Sequence, residues 1–134
     1  KKVAAPVASA SDTGWGENQY TGANAAMAVD GTWNAVSYLD NESGFAAGMV
    51  PLPAGANGNP GPILGSGYGI SANCKNPEAA LKVMGSLLGE DAQDYIASSG
   101  RSYPARTSSQ PLYFESIDEQ YRDQVQSVFE AAFG

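Results

Sequence analysis

Apolar residues recur along this chain with two different periods. Residues 25–30 are a short, mostly apolar run that breaks at Asp30-Gly31, which predicts a buried strand closed by a sharp turn. Residues 45–52 predict a second strand, stopped by Pro51 and Pro53. Residues 63–72 predict a third, interrupted by Gly65, Gly67 and Gly69. Glycines inside a strand pattern mark a bend or a close approach of backbone, so Gly65 and Gly67 are candidate hinge positions.

The remaining apolar positions follow the helical period. Asp12 or Thr13 can cap a short helical turn through about Tyr20, with Trp15 and Tyr20 on its apolar side. Thr32 is the expected N-cap of a helix reaching about Leu39, whose Ala35, Val36 and Leu39 share a face. Asn76-Pro77-Glu78 starts a third helix with a capping side chain, a proline whose missing N–H is not needed there, and an acid at the positive dipole end. Its stripe is Ala80, Leu81, Met84, Leu87 and Leu88, and Gly89 ends it. Residues 91–99 predict a further helix that stops at Gly100 and turns Tyr95 and Ile96 inward. Ser116-Ile117-Asp118-Glu119 fits a capping box, and Tyr121, Val125, Val128, Phe129 and Ala132 recur at helical spacing behind it. Residues 1–11, 21–24, 40–44, 54–62 and 101–111 read as a lead-in, a turn and loops.

Trp33 is the first candidate for function. A strand that ends in a glycine turn and opens a helix places side chains at the rim of a cleft, where ligands sit in open α/β sheets. A tryptophan there either lines such a cleft or anchors the core. Tyr68, Tyr103 and Trp15 also lie near glycine-rich or turn sequence, with Asp30, Asn34 and Arg101 close by. Aromatic rings suit the flat C–H faces of sugars, and planar polar groups suit their hydroxyl edges.

Composition removes most other chemistry. The 134 residues carry a formal charge of -7 and no basic stripe, so nucleic acid and anionic membrane are poor partners. There is no histidine to activate a serine, no GxSxG, and nothing that sets a separation between Asp30 and Glu42, so no catalytic residue is assigned. Nitrogen and sulfur ligands are too few for zinc, no DxDxDG offers a calcium loop, and neither metal nor cofactor is expected. Gly65-Ser66-Gly67-Tyr68-Gly69 lacks the helix that a dinucleotide fingerprint opens at once. Cys74 is the single cysteine, so no internal disulfide forms. No run approaches membrane-spanning length, no signal peptide is present, and the first residue is Lys1, as in a mature or trimmed product.

Four segments together resemble family 1 extracellular solute-binding proteins, the ligand-capturing subunits of ABC importers. They are Met27-Ala28-Val29-Asp30-Gly31-Thr32-Trp33, Val50-Pro51-Leu52-Pro53, Gly65-Ser66-Gly67-Tyr68-Gly69-Ile70-Ser71 with Asn76-Pro77-Glu78-Ala79-Ala80, and Tyr103-Pro104-Ala105-Arg106. They stand in the family's order over roughly residues 22–106. The resemblance implies an α/β fold of two lobes joined by crossing strands, the type II periplasmic-binding-protein fold. Members are about three times this long, too long for a single core, so the chain reads as a C-terminal portion. On that reading residues 1–64 belong to the second lobe, 65–107 to the crossing strand and helices of the first, and 108–134 return as helix to the second. The implied function is capture of a sugar or oligosaccharide and its delivery to a permease. The implied location is the periplasm, or the cell surface with a lipid anchor. Other readings are a non-sugar solute, such as a polyamine or a metal chelate, and an interaction domain without a transport role. The resemblance puts Trp33 against ligand, supports Gly67 and Tyr68 on a strand bordering the cleft, and sets Arg101 and Tyr103 near its mouth. Asp30, Gly31 and Asn34 complete the candidate set. The partners are then the solute, the permease and the rest of the polypeptide. Two stripes, Tyr121-Val125-Val128-Phe129 and Leu81-Met84-Leu88, are expected to lie open without that remainder and to make the isolated chain associate.

Overall fold

Helices rather than strands form the observed architecture. The computed structural model describes residues 14–40, 43–56, 58 and 63–133. Among these residues lie six α-helices: α1 (Trp15–Thr21), α2 (Ala35–Leu39), α3 (Pro77–Leu87), α4 (Glu90–Ser98), α5 (Gln110–Glu115) and α6 (Glu119–Phe133). Short 3₁₀ turns occupy Thr32–Asn34 and Thr107–Ser109. Asp12, Thr13 and the expected lead-in lie outside the described residues, as do Asn41, Glu42 and much of the expected loop over 54–62.

Side-chain hydrogen bonds account for several helix ends. At α3, Asn76 Oδ1 accepts from the Ala79 N–H at 3.2 Å and Pro77 takes the first position. The far end of α3 is closed by side chains from later in the chain: Gln93 Nε2 donates to the Leu87 carbonyl at 3.1 Å, and Arg106 Nη2 to that of Leu88 at 3.4 Å. The capping box expected at Ser116 does not form. The Ser116 N–H bonds the Leu112 carbonyl at 3.1 Å, and its hydroxyl donates back to Tyr113 at 2.6 Å. Ser116 therefore closes the unforeseen helix α5, and Asp118 starts α6 by accepting from the Gln120 N–H at 3.0 Å. Arg122 reaches back from α6 to the carbonyls of Phe114, Ile117 and Glu115 at 3.0, 3.2 and 3.3 Å. A guanidinium at a helix C-terminus satisfies both the orphan acceptors and the dipole.

The core gathers Leu39 of α2, Ala97 of α4, Tyr113 of α5, Ile117, and Val125 and Phe129 of α6. The α6 stripe expected to lie open is thus covered, because Tyr113 of α5 and Tyr103 pack against Phe129 within the buried cluster. In α4 the inward residues are Gln93 and Ala97, one turn apart, followed by the buried Gly100. Tyr95 falls off that line and is 74% exposed, against the expectation that it packs inward. Gly100 ends α4 at φ +67°, and a Cβ there would stand 2.8 Å from Val36 Cγ2. It both supplies the left-handed turn and lets α2 approach α4.

None of the three predicted strands forms a sheet ladder among the described residues, where the only bridge joins Gly55 and Gly58. A strand needs a ladder partner, and these stretches find none within the described chain. Residues 45–50 nevertheless keep a strand's period of two: Phe45, Ala47 and Met49 turn inward while their neighbours face out. Ala47 and Met49 pack on the helical core, and the Met49 N–H is satisfied by Gln124 Oε1 at 3.1 Å rather than by a second strand. Residues 25–29 and 63–70 are mostly exposed, Met27 and Val29 at 86% and 80%. Helix α3 buries no residue fully, and Leu81, Val83, Leu87 and Leu88 of its neighbourhood are exposed.

Candidate functional site

The turn carrying Trp33 is held from two sides. Asp30 is the hub of the first: its Oδ1 accepts the Gly31 N–H at 2.7 Å, and its Oδ2 accepts Asn34 Nδ2 at 2.9 Å and the Tyr38 hydroxyl. Asn34 and Tyr38 stand one turn apart at the start of α2, and the extended backbone at Gly31 brings Asp30 up to both. Burial pushes the Asp30 carboxyl up, but the hydrogen bonds from Tyr38, Asn34 and Gly31 outweigh it and hold the group below its usual range. The Tyr38 hydroxyl is driven the other way, by burial and by the Asp30 carboxylate that it serves. The Tyr38 ring is braced edge-on against Tyr20 of α1, at 5.2 Å between centroids.

The second hold comes from the core. Tyr113 is fully buried, and its hydroxyl donates to the Thr32 carbonyl at 3.1 Å. Its ring is fixed by Tyr103, Phe114 and Phe129, with centroids 5.5, 5.7 and 5.5 Å away. Burial pushes the Tyr113 hydroxyl up to about 12, so it stays a donor at any physiological pH.

Between these holds Trp33 is half exposed. Its six-membered ring edge lies over Gly31, where a Cβ would come within 2.2 Å of Cη2 and Cζ3. Gly31 is there for closeness of approach, since its φ of -84° and ψ of 157° suit any residue. The arrangement is an indole seated on backbone and open to solvent over half its surface.

The other candidates fall in different places. Asp30, Gly31, Trp33 and Asn34 form one cluster. Tyr103 joins the same region from beneath: its ring lies among Tyr113, Phe114, Phe129 and Phe133, spent on packing. Arg101 is exposed, and Trp15 is partly buried on α1. Tyr68 lies along α3, where a shallow groove of about 480 Å³ is lined by Tyr68, Ile70, Val83, Met84 and Leu87 among others. A Cβ on Gly65, Gly67 or Gly69 meets nothing within 4 Å, so no packing demands glycine there. Tyr38 and Tyr113 escaped the sequence reading. The one-turn spacing of Asn34 and Tyr38 was a usable signal for the first, and Pro111 opening an aromatic helical segment was one for α5. No signal links Tyr113 to Thr32, 81 residues away.

The Trp33 indole thus offers a flat apolar surface to solvent on a turn held from both sides. The model of the bacterial extracellular solute-binding protein family matches residues 1–94, and the chain belongs to that family. The family's work is solute capture for transport rather than catalysis, outside the cytoplasm, with an ABC transporter as partner. No curated protein and no solved structure matches the chain. No described helix is long and apolar enough to cross a membrane.

Proposed function

We propose that the chain captures a sugar or oligosaccharide in the periplasm or at the cell surface, there as a lipid-anchored protein, and hands it to ABC permease subunits. The observation that carries this reading is the Trp33 indole, seated on Gly31 and half exposed. A rigid aromatic platform matches the C–H face of a pyranose and loses little side-chain entropy on binding. A polyamine is less well served, because the Asp30 carboxylate is already taken by three donors. In the two-lobe arrangement residues 1–64 and 108–134 belong to one lobe and 65–107 to the other. The packing of Ala97 and Tyr103 against α5 and α6 supports α4 and its following turn standing at the junction. The exposed face of α3 and the unpaired stretch 63–70 are then covered by the remainder of the polypeptide.

Calorimetry on the intact protein against gluco-, xylo- and manno-oligosaccharides tests the reading. Trp33→Ala is expected to cost roughly 2 kcal/mol or more, about thirtyfold in Kd. Unchanged affinity together with a lowered Tm would make Trp33 a core anchor and end the proposal.

A further inference from the structure

The contacts around residues 30–34 hold the chain on either side of Trp33 while half of its surface stays exposed. We propose that Tyr113 and Asp30 are positioning residues that hold the Trp33 indole in its ligand-receiving pose. Tyr113 acts from the core through the Thr32 carbonyl, and Asp30 acts through Gly31, Asn34 and Tyr38. The inference rests on the reading of Trp33 as the solute's platform.

Neither residue serves as the platform itself. Tyr113 is fully buried, so its effect on a solute passes through another group. Asp30 spends its two oxygens on three donors, all within the turn or on α2. Their targets flank Trp33 on both sides: Thr32 before it, Asn34 after it, and Gly31 beneath its ring. The Asn34 N–H also closes on the Gly31 carbonyl at 3.2 Å, which completes the 3₁₀ turn between the two holds. A tryptophan has two side-chain torsions, and a glycine stands two residues before it in the chain. Without the holds, the backbone torsions of Gly31 and Thr32 would let the indole swing off its seat. With them, the ring's orientation is set before a solute arrives, which cuts the ordering cost of binding. Tyr113 also connects the site to α4 and α6, since Ala97, Phe129 and Tyr113 share one cluster.

The test reads the indole directly. In the intact, ligand-free protein, relaxation of the indole ¹H–¹⁵N signal of Trp33, assigned by its loss in Trp33→Phe, reports ring order. Tyr113→Phe keeps the ring and removes only the hydroxyl, and Asp30→Asn and Tyr38→Phe loosen the other hold. Each is expected to lower the Trp33 order parameter from about 0.85 toward about 0.6 and to weaken oligosaccharide binding roughly three- to tenfold. Asn76→Ala, which removes the α3 cap, is the control: it lowers stability and leaves the indole signal unchanged. A merely structural Tyr113 or Asp30 would behave like Asn76, with Tm falling and indole order intact, and that result overturns the proposal. If Tyr113→Phe does not fold, Asp30→Asn and Tyr38→Phe decide it by the same readout. Trp33→Ala separates the two readings. Full sugar affinity in that variant refutes Trp33 as the platform, while an indole order that ignores the holds refutes the positioning.

Discussion

Replacing Gly31 with alanine separates the geometry of the site from the stability of the fold. Gly31 sits at φ -84°, ψ 157°, where alanine is unstrained, so the backbone gives no reason for glycine. Glycine-to-alanine changes at compatible positions stabilise by about 0.4–1 kcal/mol through the unfolded chain. The new methyl, however, would stand 2.2 Å from two carbons of the Trp33 ring, and ordinary contact begins at 3.4 Å. The indole must therefore retreat by the difference, 1.2 Å, in a site whose neighbouring backbone is held by Tyr113 and Asp30. Shifts of 0.5–1 Å forfeit a quarter to a half of each van der Waals contact. Applied to an aromatic anchor of roughly 2 kcal/mol, this is a loss on the order of 1 kcal/mol, about fivefold in Kd. Calorimetry and Trp emission on the intact protein, with thermal melts alongside, make the assay. The expected pattern is weaker oligosaccharide binding and a shifted Trp33 emission, with Tm unchanged or raised. Unchanged emission and affinity would show that the ring does not rest on Gly31 in solution.

Other substitutions probe the frame around the site. Gly100→Ala forces a side chain into φ +67° and against Val36 Cγ2 at 2.8 Å. It should cost about 2 kcal/mol in urea unfolding, and a cost near zero would place α2 and α4 further apart. Because the folded Asp30 pKa lies below its ordinary 3.8, its contribution is complete above that value and fades as pH falls through the lowered pKa. Trp33 emission should follow the same acid window, and Asp30→Asn should abolish that response. Tyr113 runs in the opposite sense: its hold is complete below 10.0 and is lost as pH rises toward about 12, which tyrosinate absorbance in wild type against Tyr113→Phe can follow.

Interactions within a few residues were legible in the sequence. Asn76-Pro77 announced the start of α3 because a cap and its target N–H lie three residues apart. Ala35 and Leu39 announced the inner face of α2 because one turn separates them. The Asp30-Gly31 turn and the placement of Trp33 just after it were readable for the same reason. Where two local signals competed, the sequence misled: Ser116 could serve α5 or α6, and packing of Tyr113 and Ile117 into the core drew it to α5. The apolar runs at 25–30, 45–52 and 63–72 spelled out extended chain but not pairing, since a ladder depends on a partner that no run can name for itself. Likewise the α6 stripe demanded burial without saying what would bury it, and α5 and Tyr103 answered that only in three dimensions. The site divides along the same line. Sequence spacing sets Asn34 and Tyr38 one turn apart, within reach of Asp30. Only the tertiary structure brought Tyr113 beneath Thr32 and laid the indole on Gly31, because those contacts depend on packing distances and ring torsions rather than on local spacing.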